Sequence, residues 1–248
     1  MFARRIFADA PVLCGHRGSG AGVVEGRREN TLASFRAAVD AGLRWVEVDV
    51  RATADRVLVA NHDPVVEDGR CVAELSAAET DELELMRVAD LLEELPPSVA
   101  IDVDVKTSLE DALRPRPATT AALVADLLVG DARRRRLLVT SFDPAALLIL
   151  RERAPALPVG LLTWIQFPLR EAIPAAAHLG ADVVVPHVGS FPLDDASASR
   201  SVGVAHAAGL QVAVWCPGPE EAERLVAAGV DCLIVDAVPA VVESSPVR

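Results

Sequence analysis

The chain has 248 residues, of which 51% are hydrophobic and 4% aromatic, and it contains no tyrosine. That length and apolar content suffice for one large core and are typical of a single (β/α)8 barrel. The formal net charge of −12 disfavours binding to nucleic acid and attraction to anionic membranes.

The cysteines are scattered without C-x-x-C spacing, which predicts reduced thiols; they are Cys14, Cys71, Cys216 and Cys232. The first predicted strand begins at Val12, which leaves no room for the apolar region of a signal peptide. No apolar run reaches the roughly 18 residues of a membrane span. We therefore expect a cytoplasmic protein without membrane insertion, and a homodimer stays open.

Short aliphatic strands alternate along the chain with stretches of helical period. The predicted strands are Val12–Gly15, Trp45–Val50, Val99–Val105, Leu137–Ser141, Val159–Thr163, Asp182–Pro186, Gln211–Trp215 and Asp231–Asp236. The predicted helices are Asn30–Ala41, Thr119–Val129, Pro144–Ala154, Leu169–Leu179, Ser201–Ala208, Pro219–Ala227 and a last turn at Pro239–Glu243. This alternation implies parallel strands with helices outside, and eight units in about 250 residues imply a closed (β/α)8 barrel.

A ninth strand-like run, Val57–Asn61, follows the second strand too closely for a parallel crossover, which needs a dozen or more residues. We predict an antiparallel hairpin arm that brings His62 back to the barrel mouth. Residues 64–98 are predicted as a short excursion at the mouth with one or two helices. Nothing in the sequence divides the chain, so residues 1–248 are predicted to form one domain.

Two local patterns carry structural rather than functional expectations. Asn30 or Thr31 is expected to cap the first helix, with the apolar side chains at 32, 35 and 39 on its inner face. The basic run Arg133–Arg136 directly precedes the strand Leu137–Ser141, so it lies at the face opposite to the one where barrel enzymes build their sites. We expect a solvated helix end there.

Two of the predicted strands carry acidic residues on one face. Because strand side chains alternate, Glu47 and Asp49 share a face, as do Asp102, Asp104 and Lys106, while the opposite faces are aliphatic. Burying an unpaired carboxylate costs several kcal/mol or more. We expect these carboxylates to bind a hard divalent cation such as Mg²⁺, Ca²⁺ or Mn²⁺. Polar faces wetted by solvent or tied by salt bridges are the alternative.

Barrel sites are built from the C-terminal ends of the strands and the loops that follow. In this chain those positions are His16, Arg17, Glu47, Asp49, His62, Asp104, Lys106, Ser141, Thr163, His187, Trp215 and Asp236. A metal with arginine and lysine suits a phosphate, because together they neutralise its oxygens. Two histidines suit proton transfer near neutral pH. The combination predicts cleavage of a phosphodiester.

Other chemistries fit the sequence less well. The glycines after the first strand fail the G-x-G-x-x-G spacing, since position 23 is valine. Ser19 and Ser141 lack a G-x-S-x-G elbow. A zinc site at His16 and His62 is open, although the carboxylate-rich strands favour a harder cation. His178 and His206 are expected on helices, as surface or core residues.

Aromatic residues follow several strand ends and are expected to line an apolar pocket for a head group or acyl chain, or else to pack a lid or a dimer contact. They are Trp164, Phe167, Phe191 and Trp215. Trp215 is favoured as a lining residue because it shares the inward face of its strand with Gln211 and Ala213. His187 ends a strand at the mouth and is a further candidate for touching substrate.

The motifs together resemble the glycerophosphodiester phosphodiesterase family over most of the chain. The matching segments are His16-Arg17-Gly18, Glu29-Asn30-Thr31, Glu47-Val48-Asp49, His62-Asp63, Asp102 to Lys106, Trp215 and Asp236. The resemblance implies a barrel that hydrolyses small glycerophosphodiesters to glycerol 3-phosphate and an alcohol. It implies one divalent cation held by Glu47, Asp49 and Asp104, and His16 with His62 as the general acid–base pair. Arg17 and Lys106 would contact the phosphate, and Glu29 and Trp215 join them as substrate-binding candidates.

Some positions depart from the family pattern. Asp104 stands where the family usually has glutamate, and Cys216-Pro217-Gly218 replaces a Thr-x-Asn segment. These departures leave the substrate open, with a lysophospholipase-D-like enzyme acting on lysophospholipids as one alternative. A catalytically weak phosphodiester-binding protein is another. The shorter acid at position 104 favours it, and the presence of both His16 and His62 disfavours it.

Overall fold

The computed structural model describes residues 5–238 of the chain. Its strands are β1 (Val12–Gly15), β2 (Val23–Val24), β3 (Arg27–Arg28), β4 (Trp45–Ala52), β5 (Leu58–Ala60), β6 (Ala100–Val105), β7 (Leu137–Ser141), β8 (Val159–Leu162), β9 (Val183–Val185), β10 (Gln211–Trp215) and β11 (Cys232–Val235). Each predicted strand is present, with ends that differ by at most two residues.

Eight of these strands form a closed parallel barrel in the order β1, β4, β6, β7, β8, β9, β10, β11. Closure comes from β1, which pairs with β11 on one side and with β4 on the other, as Val12 beside Cys232 and Cys14 beside Trp45 show. Strand β5 runs antiparallel on the edge of β4, with Ala60 beside Val50. The predicted (β/α)8 barrel and its hairpin arm are therefore confirmed.

The helices cover the outside of the barrel. They are α1 (Leu32–Asp40), α2 (Ala77–Glu82), α3 (Val88–Glu94), α4 (Thr120–Asp131), α5 (Pro144–Arg153), α6 (Leu169–Leu179), α7 (Asp195–Ala207) and α8 (Pro219–Ala227). Helix α7 begins well before the predicted Ser201, because the Asp194 side chain accepts a hydrogen bond from the Ser197 amide and caps an earlier first turn. The turn predicted at Pro239–Glu243 lies outside the described residues.

Helix α1 is capped by Thr31, whose side chain accepts from the Ser34 amide. Its buried face consists of Ser34, Phe35 and Ala38, so the predicted inner face is right at position 35 and only partly right at 32 and 39, which are half-buried. The reason is the close approach of Gly18. Its φ is +95°, and a Cβ there would lie 2.5 Å from the Ser34 hydroxyl. This contact presses the loop after β1 onto the start of α1.

The stretch 64–98 does not stay at the mouth as predicted. Buried residues of α3 pack in the layer between the sheet and the helices, and the helix ends beside Arg135. The guanidinium of Arg135 donates to the carbonyl oxygens of Leu92, at 2.5 Å, and Leu95, at 3.1 Å. Arg135 is thus buried, and the prediction of a solvated helix end is wrong for this residue. A salt bridge to Asp131 and the two carbonyl groups replace its water.

Two apolar clusters stabilise the barrel. The larger one fills the layer between the sheet and the outer helices, and the smaller one fills the barrel interior with inward-facing residues such as Cys14, Trp45, Leu138 and Ala213. Phe7 packs against Trp45 with ring centroids 5.1 Å apart and closes the interior at the N-terminal ends of the strands. The other end of the barrel is left open.

A polar network seals the closed end. Gln211 accepts hydrogen bonds from the amides of Ile6, at 2.7 Å, and Phe7, at 3.1 Å, and donates to Asp231 at 3.0 Å. The other carboxylate oxygen of Asp231 accepts from the Val212 amide and contacts His206 Nε2, both at 2.8 Å. His206, expected to be a surface or core residue, therefore belongs to this structural network.

Among residues 5–238, no helix is both long enough and apolar enough to cross a bilayer.

Candidate active site

Three carboxylates converge inside the open end of the barrel. Neighbouring parallel strands β4 and β6 place Asp49 beside Asp104 and, one layer deeper, Glu47 beside Asp102. All four side chains are buried. One oxygen each from Glu47, Asp49 and Asp104 lies within 4.8 Å of the others. Asp102 instead accepts a hydrogen bond from the Thr140 hydroxyl at 2.9 Å.

Two cations and an amide hold Asp49 in place. Lys106 Nζ lies 3.0 Å from one of its oxygens and also forms a salt bridge with Asp104. Arg17 Nε lies 3.2 Å from the other oxygen, which also accepts from the Asn30 side-chain amide at 2.8 Å. Sequence reasoning considered Asn30 only as a helix cap. Its φ of +55° at the end of the loop is the feature that turns its side chain inward.

The surroundings separate the pKa values of these acids. Burial raises the pKa of Glu47 well above its ordinary value, and the charges of Asp49 and Asp104 raise it further. Burial also opposes ionisation of Asp49, but Lys106 and Arg17 outweigh it and lower the pKa to about 2. The pKa of Asp104 is raised by burial, with Lys106 acting in the opposite direction. With Lys106 and Arg17 alone, ionisation of Glu47 and Asp104 therefore stays disfavoured, and a further positive charge at the cluster would favour it.

The donor set fits a hard divalent cation. Asp49 Oδ1 and Asp104 Oδ1 are both buried; Lys106 Nζ lies 3.0 Å from the first, whereas Asp104 Oδ1 accepts no hydrogen bond within residues 5–238. Buried acceptors without a partner are uncommon because each forfeits its water. Carboxylate oxygens are the preferred ligands of Mg²⁺, Ca²⁺ and Mn²⁺.

Both predicted catalytic histidines have a carboxylate at Nδ1. His16 Nδ1 lies 2.9 Å from Asp236 Oδ1, and His62 Nδ1 lies 2.8 Å from Asp63 Oδ1. A carboxylate at Nδ1 fixes the ring and leaves Nε2 available for proton transfer. Burial opposes ionisation of Asp236, but the bond from His16 outweighs it and lowers the pKa to about 2. Sequence reasoning named both acids within motifs but assigned neither of them a role.

Arg17 is fixed from three sides. Its backbone amide donates to Glu47 at 2.8 Å, and its Nη1 lies 3.0 Å from each oxygen of Glu29. Glu29 also accepts from the Gly22 amide. Glu29, expected from the sequence to bind substrate, thus lies against the guanidinium of Arg17 and orients it.

Sequence reasoning missed Arg51. It follows Glu47 and Asp49 on the same face of β4, which the alternation of strand side chains makes visible in the sequence. The guanidinium donates to the His62 carbonyl from Nε, at 3.0 Å, and from Nη2, at 2.6 Å. Arg51 therefore fixes the end of the hairpin arm that carries His62.

A cavity of about 470 Å³ opens at this end of the barrel. Its polar side is formed by His16, Arg17, Glu47, His62, Asp104 and Lys106, and its apolar side by Phe142, Leu162, Trp164, Ile165 and Trp215. Phe142 stacks on Trp164 with centroids 4.4 Å apart and meets the edge of Trp215 at 5.9 Å. The volume suits a small phosphodiester.

Of the other sequence candidates, Ser141 lines this cavity, whereas Phe167, Phe191 and His187 do not. Phe191 is buried in the layer between sheet and helices, so the expectation that it lines a pocket is wrong. Phe167 packs against the same layer. His187 packs edge-on against Trp215, with centroids 4.3 Å apart. The Ser141 hydroxyl donates to the Val105 carbonyl at 2.8 Å.

One thiol lies at the edge of the histidine pair. Cys216 follows β10, and its Sγ is 3.7 Å from His16 Nδ1. Burial raises the pKa of this thiol to about 12, and the charge of Asp236 adds to the effect. The segment that carries it was noted from the sequence only as a departure from a family pattern.

The chain is similar to known proteins over nearly its full length. Residues 16–240 match the model of the "Glycerophosphoryl diester phosphodiesterase family". The chain is 30% identical over 237 aligned residues to a Mycobacterium tuberculosis protein named "Probable glycerophosphodiester phosphodiesterase 1", which covers 82% of this chain and 83% of that one.

Solved structures share the same barrel. A glycerophosphodiester phosphodiesterase from Thermotoga maritima has a TM-score of 0.74 at 21% identity and covers 94% of this chain and 98% of its own. A phosphodiesterase from Oleispira antarctica, solved in complex with its product sn-glycerol-3-phosphate, has a TM-score of 0.75 at 21% identity, covering 97% and 99%.

Proposed function

The chain belongs to the glycerophosphoryl diester phosphodiesterase family, and we propose that it hydrolyses small glycerophosphodiesters to glycerol 3-phosphate and an alcohol. It is a phosphodiesterase by this membership. The observation that carries the substrate proposal is the cavity. It is lined by basic and acidic side chains and by two histidines, each of which contacts a carboxylate through Nδ1. The product named for the Oleispira antarctica structure supports it.

Proton transfer is proposed for His16 and His62. With Asp236 and Asp63 at Nδ1, each ring presents Nε2 to the reacting groups. One imidazole takes a proton from the attacking oxygen as that oxygen bonds to phosphorus. The other imidazole gives a proton to the oxygen of the departing alcohol as the bond between that oxygen and phosphorus breaks. Asp236 and Asp63 stabilise whichever ring is protonated.

Glu47, Asp49 and Asp104 would hold one divalent cation, which supplies charge neutralisation at the phosphate when bound. Arg17 and Lys106 are proposed to bind the phosphate oxygens from the rim of the cavity. Both are mostly buried, with side chains 14% and 12% exposed, so their charges act at low local dielectric. Trp215 and Phe142 would pack against the glycerol or alcohol portion.

Release of glycerol 3-phosphate from a panel of glycerophosphodiesters tests this function. We expect turnover in the presence of a divalent cation and its loss in His16→Ala. The matched control is His206→Ala, which removes a histidine that also contacts a carboxylate but lies at the closed end of the barrel. Equal loss in both variants, or no release from any diester, contradicts the proposal.

The second candidate is a lysophospholipase-D-like activity. The loops around the mouth carry exposed apolar side chains: Leu109 and Leu113 at 89%, Trp164 at 67%, Ile165 at 59% and Leu193 at 91%. Apolar residues gathered at a site entrance favour an acyl chain. Leu193→Ser should lower kcat/KM for a lysophospholipid and not for the diester with the same head group, whereas Leu148→Ser, on an outer helix, should change neither.

A further inference from the structure

Cys216 and the pair formed by His16 and Asp236 make a second cluster of metal-ligating groups, separate from the carboxylates. His16 Nδ1, Cys216 Sγ and an oxygen of Asp236 lie within 4.8 Å of one another. All three residues are half-buried, so a dissolved ion can reach them. Each comes from the C-terminal end of a different strand among the neighbours β1, β10 and β11.

The spacing suits a tetrahedral ion. With Zn–S near 2.3 Å and Zn–N near 2.0–2.1 Å, tetrahedral ligand atoms lie about 3.5 Å apart for S and N and about 3.3 Å for N and O. The observed separation of Cys216 Sγ and His16 Nδ1 is 3.7 Å, and that of His16 Nδ1 and Asp236 Oδ1 is 2.9 Å. Shifts of a few tenths of an ångström therefore bring these two pairs of ligand atoms to tetrahedral spacing.

The chemistry separates this cluster from the carboxylate cluster. A thiolate, an imidazole and a carboxylate form a ligand set typical of Zn²⁺, whereas carboxylates alone favour Mg²⁺ or Ca²⁺. Three protein ligands also leave a fourth position for water. One cavity thus has a hard-cation cluster on β4 and β6 and a softer cluster on β1, β10 and β11.

We propose that His16, Cys216 and Asp236 form an inhibitory site for a thiophilic divalent cation such as Zn²⁺. Binding displaces the proton from the thiol, which is released to solvent, and the single proton of the neutral His16 ring moves from Nδ1 to Nε2. The metal on Nδ1 keeps that proton on Nε2. His16 then has no lone pair at Nε2 with which to accept a proton, and the neutral N–H is too weak an acid to donate one.

The inhibitory half of this proposal rests on the proposed role of His16, whereas the metal site does not. A binding measurement therefore separates the two. Cadmium is the probe, because Cd²⁺ bound to a thiolate absorbs in the near ultraviolet and Cd²⁺ bound to carboxylates alone does not. The titration uses the whole chain with excess Mg²⁺ to occupy the carboxylate cluster.

Cys216→Ser is the test variant, and Cys71→Ser is the matched control because Cys71 is also half-buried but lies outside the cavity. We expect one equivalent of Cd²⁺ to produce the absorption in wild type and Cys71→Ser and not in Cys216→Ser. Zn²⁺ affinity by calorimetry should fall at least about 10-fold in Cys216→Ser, because even groups outside the ligand shell change metal affinity by that factor. Absence of the absorption in wild type, or its persistence in Cys216→Ser, overturns the metal site.

Turnover of a glycerophosphodiester with Mg²⁺ present supplies the second measurement. Zn²⁺ at the concentration that fills the site should stop wild type and Cys71→Ser, and Cys216→Ser should keep its turnover. Unchanged turnover in a wild-type protein that shows the cadmium absorption overturns the inhibitory half. That result would locate the fault in the role proposed for His16 and not in the metal site.

Discussion

Strand β11 is flanked by two aspartates, and the side chain of each contacts a histidine. Asp236 at the open end contacts His16 at 2.9 Å, and Asp231 at the closed end contacts His206 at 2.8 Å. Both are histidine–carboxylate pairs, but His16 contacts its aspartate through Nδ1 and His206 through Nε2, and their surroundings also differ. Asp231 also accepts from a buried glutamine and a backbone amide, whereas the His16 pair borders a cavity in which, among the described residues, the buried oxygen Asp104 Oδ1 accepts no hydrogen bond. In the described part of the chain, what distinguishes the functional histidine–carboxylate pair from the structural one is therefore the cavity beside it and the carboxylate oxygen there that lacks a hydrogen bond.

Removing divalent cations is the largest perturbation of the open end. EDTA should abolish turnover, because Lys106 and Arg17 already pair with Asp49 and Asp104, so neutralising the phosphate needs the additional cation. Added Mg²⁺, Mn²⁺ or Ca²⁺ should restore the rate. Thermal unfolding measured alongside should show a higher Tm with the cation present. Full activity in metal-free protein would mean that Lys106 and Arg17 neutralise the site without a metal.

Removing one histidine from each end tests the comparison directly. His16→Ala and His62→Ala should each lower kcat by about 10²–10⁴ with the fold retained. His206→Ala should leave kcat unchanged. A diester with a nitrophenol leaving group, which needs no proton at departure, should rescue only the variant that lacks the general acid. Near-wild-type rates in both mouth variants would make the acid–base assignment wrong.

Gln211→Met is the corresponding test of the closed end. Methionine keeps the length of the side chain and removes hydrogen bonds to the amides of Ile6 and Phe7 and to Asp231. Leaving such buried groups unpaired should lower the free energy of unfolding by about 1–3 kcal/mol. Denaturant unfolding measures the loss, and kcat measured on the same sample should not change. A fall in kcat without a fall in stability would show that the two ends are coupled.

The smallest expected effect is that of Asp104→Glu. Glutamate is the residue that the family resemblance places here, and the extra methylene group extends a carboxylate that already borders the open cavity. We expect Mg²⁺ affinity, measured by calorimetry, to be unchanged or higher. Loss of binding would show that the surrounding strands are adjusted to the shorter acid.

The barrel could be predicted from the sequence because its strands are short aliphatic runs separated by helical periods. The same alternation placed Glu47, Asp49 and Asp104 on one face, and the register of β4 and β6 confirms that placement. Arg51 follows from this rule only once the strand extends to Ala52, whereas the predicted strand ends at Val50 and leaves Arg51 in the turn.

The remaining features depend on tertiary structure. Asp236 meets His16 across a separation of 220 residues, which only the closure of β1 on β11 determines. Arg135 looks like a solvated residue in a basic run, and its burial depends on two carbonyl groups at the end of α3. The 3.7 Å contact between Cys216 and His16 likewise depends on the closure of the barrel. Strand and helix patterns in the sequence predict local structure, and they do not predict which side chains meet when the barrel closes.

The pairing of the first and last barrel strands also determines when the protein acquires activity during its synthesis. A ribosome that adds about 5–20 residues per second needs roughly 11–44 s to proceed from His16 to Asp236. From the synthesis of Asp104 onwards the emerging polypeptide has both histidines and all three carboxylates of the cluster, but no carboxylate orients His16 until Asp236 is added. Nascent chains and products truncated before β11 should therefore be inert toward cellular phosphodiesters, and hydrolysis should begin only once translation has delivered the last strand.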